Sequence, residues 1–245
     1  MKFYPLDART EEGRRKWLQL RLGIATASSF NRIITPKKLE LSEQRYSLRD
    51  ELLEEWMTGE EVERYASEWQ QRGIEEEDAA IAAYEAARGE TSPGGFFTSD
   101  DGLIGCSPDR LIGNNGDLEI KTGALRTGIG YKLGQRTDIA ADHQLQIQGR
   151  LWIHGREWCE TFGYFHHRSG QTIILPPVRV YREEKIIKAL KEHLPRFVEE
   201  LLRAREELER DHGPFLRLGS PAPPDPLEVS QADLDRIFAA QKEHA

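Results

Sequence analysis

Ser107-Pro108-Asp109-Arg110-Leu111-Ile112-Gly113-Asn114-Asn115-Gly116-Asp117-Leu118-Glu119-Ile120-Lys121 is the stretch on which the reading of this chain turns. Asp109 to Ile112 and Asp117 to Lys121 read as short strands, and the Gly-Asn-Asn-Gly between them is a strong hairpin signal. Side chains alternate along a strand, so Glu119 and Lys121 share one face while Leu118 and Ile120 share the other. With Asn114-Asn115-Gly116 counted as a three-residue loop, Asp109 falls across from Lys121 on the polar face. Two carboxylates and a lysine then converge at the base of the hairpin. Hard oxygen donors of this kind suit Mg²⁺, whose shell is completed by waters, phosphate oxygens and often a backbone carbonyl, here that of Ile120. Such a metal lowers the pKa of a bound water and neutralises charge building on phosphorus. Lys121 is placed to orient that water or to stabilise the charge. The same residues also fit the exposed polar face of an ordinary edge hairpin.

Outward from the hairpin, Gly95 to Ser99 and Gly102 to Cys106 read as strands around Asp100-Asp101-Gly102, and Trp158 to His166 and Thr172 to Val180 as two more. The first ninety residues are helical in pattern: Glu11 to Leu22, a short helix from Thr26 to Ile34, then Gln44 to Met57 and Glu61 to Arg88. Ala124 to Gly134 is interrupted by glycine and reads as partly loop. Asp142 to His154 reads as a helix, and Glu183 to Arg210 as a long amphipathic one, irregular at Pro195. The predicted organisation is one globular domain over 1–212, a proline-rich linker over 213–229 and a short helix over 230–245. Leu234, Ile237 and Phe238 share a face of that last helix, which either packs back on its own body or docks on a neighbour.

Counting glycine with the apolar residues gives about 47% of the 245 residues, the range of ordinary globular proteins, which excludes collagen-like and disordered classes. The chain has no run of about 18 apolar residues that a membrane helix needs, and Met1 to Asp7 has no signal-peptide core. With two cysteines, Cys106 and Cys159, the expectation is a reduced, cytoplasmic protein without a disulfide framework. The net charge of -8 argues against non-specific coating of DNA by a basic surface, and leaves room for a local basic channel or a carboxylate metal site.

Four blocks give the chain, from Arg14 to Val180, a resemblance to the lambda-exonuclease (YqaJ-type) branch of the PD-(D/E)xK nuclease superfamily. They are Trp17 to Ser28; Arg72-Gly73 with Glu77; Cys106-Ser107-Pro108-Asp109 through Leu118 to Thr122; and His143-Gln144-Leu145-Gln146-Ile147-Gln148 leading into Leu151-Trp152. The resemblance implies an α/β, restriction-endonuclease-like core, a central mixed β-sheet flanked by helices. It makes Asp109, Glu119, the Ile120 carbonyl and Glu77 ligands of two Mg²⁺ ions, for which Mn²⁺ can substitute, and Lys121 the catalytic lysine. Gln146 becomes the group that hydrogen-bonds the scissile phosphate or the attacking water. Arg21 and Ser28, with Thr26, become the pocket for a 5′-terminal phosphate, and Ser107 a phosphate contact beside the metals. Read alone, Arg21 would be a surface arginine pairing with Glu11 or Glu12, and Ser28 a helix cap. Trp69 is a candidate for the wedge that splits the duplex; Arg126 matches no phosphate-binding arginine of the family, and His143 is given no catalytic role.

The implied activity is 5′→3′ exonucleolysis of linear double-stranded DNA, releasing 5′-mononucleotides and leaving 3′ single-stranded overhangs for recombination. The implied partners are DNA ends, two further copies in a homotrimeric ring and a single-strand annealing protein, with no membrane. An endonuclease or nickase with the same metal site is the nearest rival, and a catalytically silent DNA-end-binding protein is the rival of another class. The iron–sulfur branch of the superfamily needs four cysteine ligands, which two cysteines cannot supply.

Overall fold

The hairpin forms, one register step away from expectation. In the computed structural model, which describes residues 1–61 and 68–213 with side chains for 1–61 and 76–213, Ile112 pairs with Gly116, Leu111 with Asp117 and Arg110 with Leu118. The three loop residues are therefore Gly113-Asn114-Asn115, because Gly113 takes the left-handed conformation (φ 52°) and starts the turn. Continued one step, the register sets Asp109 opposite Glu119 and not opposite Lys121. Asp109 stays on the polar face either way, since a shift of two positions preserves the alternation.

Along the chain the elements begin with β1 (Lys2–Tyr4), α1 (Glu11–Arg21), β2 (Ala25–Thr26), a 3-10 turn (Ala27–Ser29), α2 (Phe30–Ile33), α3 (Gln44–Thr58) and α4 (Glu68–Arg88). There follow β3 (Ser92–Pro93), β4 (Phe96–Thr98), β5 (Ile104–Cys106), β6 (Arg110–Ile112) and β7 (Gly116–Thr122). The remainder is α5 (Leu125–Lys132), α6 (Ile139–Asp142), α7 (Gln144–Ile153), β8 (Trp158–His166), β9 (Thr172–Tyr181) and α8 (Glu184–His212). The proposed linker and terminal helix lie outside the described residues, apart from Gly213. Two mixed sheets result. One has the strand order β1-β4-β5-β2 and the other β3-β6-β7-β8-β9. Within the second, β7 and β8 are parallel and the other neighbours antiparallel. A parallel pair needs a long crossover, and here α5, α6 and α7 form it.

Helices cover both faces of β7. Leu118 and Ile120 pack with Ala80, Ile81 and Tyr84 of α4 and with Phe162 of β8. The opposite face meets α7, whose outer side is backed by a core that includes Phe30, Ile33, Leu48, Leu52, Leu190, Leu194 and Phe197. Each such side chain contributes about 1.5–3 kcal/mol by leaving water. On α8 these residues recur at helical spacing through Pro195, so the helix is continuous there. Among the described residues no helix is long and apolar enough to cross a membrane.

The structure differs from the sequence expectation in three further places. Thr26, expected to open a helix, instead ends β2, in which Ala25–Thr26 pairs in parallel with Ile104–Gly105. The segment expected to be partly loop forms α5, because Gly128 lets it lie close to the Phe165 ring. The helix expected over Asp142 to His154 breaks at His143 (φ -117°) into α6 and α7.

Gly94 fixes the approach of β3 to the strand carrying Asp109: a Cβ there would lie 1.6 Å from the carbonyl oxygen of Pro108. Backbone cannot yield as a flexible side chain would. Gly94→Ala is expected to cost about 1–3 kcal/mol as an overpacking substitution, read as a lowered Tm, and to displace Asp109 with loss of activity. An unchanged Tm would show that this approach is not tight.

Candidate active site

The site is a strand lying against a helix with matched periods. Alternate residues on a strand are about 6.6 Å apart, and residues four apart on a helix about 6 Å apart. Asp117, Glu119 and Lys121 on β7 therefore meet His154, Arg150 and Gln146, the last two on α7 and His154 at its C-cap, in an antiparallel ladder. Gln146 Nε2 donates to Glu119 Oε1 at 2.9 Å, and Lys121 Nζ lies 2.5 Å from the same oxygen and 3.5 Å from Gln146 Oε1. Arg150 Nη1 donates to Glu119 Oε2, while its Nε lies 3.1 Å from Asp117 Oδ2 and its Nη2 3.1 Å from Cys159 Sγ. His154 Nε2 lies 3.0 Å from Asp117 Oδ2. Glu119 is 1% exposed, Arg150 1% and Asp117 0%, so these are interior charges.

Asp109 accepts a hydrogen bond from the Ile120 backbone N–H at 2.6 Å. Burial pushes its carboxyl pKa up, and the charges of Arg150 and Lys121 offset this only in part. Burial lowers Lys121, against the pull of Asp109. Asp117 would be raised by burial, but Arg150 and the His154 hydrogen bond overcome that and hold it low. Glu77 is pushed up to about 7, first by burial and then by the negative charge of Asp109. It continues the face of α4 that Ile81 and Tyr84 bury, four and seven residues on, and so it points to the sheet.

A cavity of about 250 Å³ opens beside Asp109. Arg21 of α1, Thr26, Ser28, Ser107, Gln146 and Arg150 line it with Asp109, and Trp17 and Phe96 give it an apolar wall. Thr26 Oγ1 and Ser28 Oγ are 3.1 Å apart, and the Ser107 hydroxyl donates to the Gly95 carbonyl at 2.8 Å. Arg21 stacks 4.2 Å over the Trp17 ring and pairs with Glu61 at 3.2 Å, where the sequence suggested Glu11 or Glu12. The structure thus gathers Arg21, Thr26, Ser28, Ser107, Asp109 and Gln146 round one cavity, joins Glu119 and Lys121 to it through Gln146, and sets Glu77 close enough to Asp109 for their charges to couple. His143 lines a smaller cavity shared with Ser28 and Gln146. Burial, then Lys121, lowers its pKa to about 4, so it is neutral. Arg126 sits apart, in a groove with Arg136, and the Trp69 side chain lies outside the described residues. Sequence reasoning missed Arg150 and Asp117; the available signal was the spacing of Arg150, one turn after Gln146.

Among the described residues, no three Asp, Glu, His or Cys side chains gather as a metal-holding group. Mg²⁺ usually takes only one or two carboxylates and fills its shell with waters and substrate phosphates, and Asp109, Glu119 and the Ile120 carbonyl are such a donor set. The raised Asp109 and Glu77 carboxyls support the fit, being two acids crowded out of water that a cation would relieve. A carboxyl raised from 4.5 to about 7 binds its proton more tightly in the folded chain, so metal-free stability falls as pH rises through that window. Glu77→Gln is expected to stabilise EDTA-treated protein at pH 8 by up to about 3 kcal/mol, read as a raised Tm, and to have little effect near pH 5. Equal effects at the two pH values would remove the charge crowding from the account.

A mixed sheet carrying two carboxylates and a lysine at a hairpin, with helices on both faces, is the core of a restriction-endonuclease-like nuclease. The chain belongs to the YqaJ-like viral recombinase domain family, whose model matches residues 16–157, more than half of its length. Its structure is similar to that of an alkaline exonuclease from Laribacter hongkongensis (LHK-Exo), with 27% identity, a TM-score of 0.68, and coverage of 82% of this chain and 97% of that one. The same exonuclease in complex with dAMP matches with a TM-score of 0.67 over the same shares. A phage-related exonuclease from Haemophilus somnus 129PT shares the fold, with a TM-score of 0.59 at 15% identity over 76% of this chain and 96% of that one. No curated protein sequence matches the chain. Family and likeness together support a nuclease role, of exonuclease type.

Proposed function

We propose that the chain is a metal-dependent deoxyribonuclease that degrades linear duplex DNA 5′→3′ from a 5′-phosphorylated end. It releases 5′-mononucleotides and leaves 3′ single-stranded overhangs for strand annealing. The observation that carries this reading is the single cavity running from Arg21, Thr26 and Ser28 to Asp109 and Gln146. A terminal phosphate held at its Arg21 end leaves the next phosphodiester beside the carboxylates. Guanidinium grips phosphate through paired donors, which suits Arg21 to that anchor, and the complex of the similar exonuclease with dAMP, a 5′-mononucleotide, is in keeping with it.

Asp109, Glu119, the Ile120 carbonyl and Glu77 would hold two Mg²⁺ ions, with Mn²⁺ able to replace them. When bound, the ions activate water and neutralise charge on the attacked phosphate and leaving oxygen. Lys121 holds the attacking water and offsets charge gathering on the phosphoryl oxygens. Gln146, already bridging Lys121 and Glu119, aligns the water or the scissile phosphate with them. Ser107 contacts phosphate at the rim. The nuclease unit spans 1–212, acts in the cytoplasm, closes with two further copies into a ring, and works with a single-strand annealing protein.

The test compares 5′-phosphorylated linear duplex with covalently closed circular duplex, each with Mg²⁺, and identifies the products. Mononucleotides from the linear substrate alone support the proposal. Cutting of the circle would mean an endonuclease with the same metal site, and inertness toward both under Mg²⁺ and Mn²⁺ would leave an end-binding protein.

A further inference from the structure

We propose that Arg150 is a positioning residue of the metal site. Anchored by the buried Asp117–His154 pair, it holds one oxygen of Glu119 so that the other is presented to the cation. The inference rests on reading Asp109 and Glu119 as metal ligands.

Glu119 is gripped from two sides. Oε2 takes Arg150 Nη1 in the interior, where Arg150 is 1% exposed, and Oε1 faces Gln146 and Lys121, the latter partly open to solvent. Arg150 is held in turn. Its Nε lies against Asp117 Oδ2, and the same Asp117 oxygen meets His154 Nε2 at 3.0 Å. The protonation of His154 follows from its surroundings. Its Nδ1 accepts the Arg156 backbone N–H at 3.2 Å, so Nε2 carries the proton and donates to Asp117. Arg156 Nη1 donates to the carbonyls of Gly113 at 2.8 Å and Gly116 at 2.6 Å, which ties the hairpin turn to the same rail. A line of hydrogen bonds, closed by the Asp117–Arg150 ion pair, therefore runs from the turn through Arg156, His154, Asp117 and Arg150 to the metal-facing carboxylate.

Stability alone is a poor reason for this arrangement. Desolvating an ion costs several kcal/mol, and well-packed apolar residues often replace a buried pair without loss. Orientation is a better reason, because a planar guanidinium fork can span two carboxylates two residues apart on one strand face, whereas a lysine ammonium is a single point. Groups behind a metal ligand that fix its direction typically govern affinity by 10–100-fold.

The sign of one effect separates orientation from plain electrostatics. Removing a positive charge beside a cation site strengthens cation binding; releasing an oriented ligand weakens it. The experiment titrates folded full-length chains with MnCl₂ by calorimetry, follows bound Mn²⁺ by electron paramagnetic resonance, and takes Tm from separate scans. Arg150→Gln and Arg150→Lys are each expected to weaken Mn²⁺ binding ~10-fold and to broaden the bound-ion spectrum, with turnover recovering at excess Mn²⁺. Equal or tighter binding by Arg150→Gln, with Asp109→Asn still abolishing it, would overturn the positioning role and leave the metal reading intact. Failure of the unmutated chain to bind Mn²⁺ would sink both. If Arg150→Gln does not fold because Asp117 is left unpaired, the Asp117→Asn/Arg150→Gln pair orphans no charge and is expected to show the same loss; normal binding by that variant would overturn the proposal.

Discussion

Lys121→Ala is expected to lower cleavage of a 5′-phosphorylated linear duplex by about 10²–10³-fold, the effect of removing one aligned donor from a developing oxyanion. Duplex binding should survive. The reason lies in what remains: Glu119 keeps Gln146 on Oε1 and Arg150 on Oε2, so the ladder between β7 and α7 stands without the ammonium. Lys121 is the one cation of that ladder whose side chain is partly open, at 26%, and therefore the one able to meet substrate. An interaction made only in the transition state lowers kcat and kcat/KM together. Single-turnover kinetics with saturating Mg²⁺ checks this, and near-normal turnover would remove Lys121 from catalysis. A raised KM at unchanged kcat would move it to ground-state binding.

Arg21→Ala is expected to erase the preference for 5′-phosphorylated over 5′-hydroxyl ends. Hydrogen bonds to charged groups are worth about 1.5–3 kcal/mol, or roughly 10–100-fold in rate on the phosphorylated substrate. Arg21 is held in place before substrate arrives, stacked on Trp17 and paired with Glu61, so little side-chain freedom is lost when phosphate binds. The comparison needs both substrates at one salt concentration, since general backbone contacts weaken with salt. An equal loss on the two ends would make Arg21 a general DNA contact and take the terminal-phosphate pocket away.

The parts of this molecule that were legible in its sequence are those whose signal is local. The hairpin announced itself through Gly113-Asn114-Asn115-Gly116 and the alternation from Asp117 to Lys121, and only the turn's starting residue was misjudged. The long strands β8 and β9 and the helices α1, α3 and α8 carry enough residues for their period to show. β1, β2 and β3 are two or three residues long, too short for any alternation. They exist because of distant partners, as when Phe3 pairs with Phe97 and stacks on its ring. In α5, Gly128 looked like a breaker and is a packing residue against Phe165 of β8. Glu77 stands among Glu75, Glu76 and Asp78, and the sequence alone gives no reason to choose it until Ile81 and Tyr84 are known to face the sheet. Arg150 was invisible for a related reason: a charged helix residue is read as solvated unless the strand opposite is known to offer Asp117 and Glu119.

The parallel pairing of β7 with β8 carries a consequence for the order of events during folding. Gln146, Arg150 and His154 all lie within the crossover that joins these two strands, so the chain cannot zip β8 onto β7 without laying α7 across the carboxylates. Closing a connection of this length is slow relative to local helix and hairpin formation. The hairpin bearing Asp109 and Glu119 rests on local contacts, whereas the helix that aligns its acids is held there only once the crossover closes. Opening of the β7–β8 pair would leave the acids on their hairpin and carry away Gln146 and Arg150, so the alignment of the site depends on that one parallel pairing.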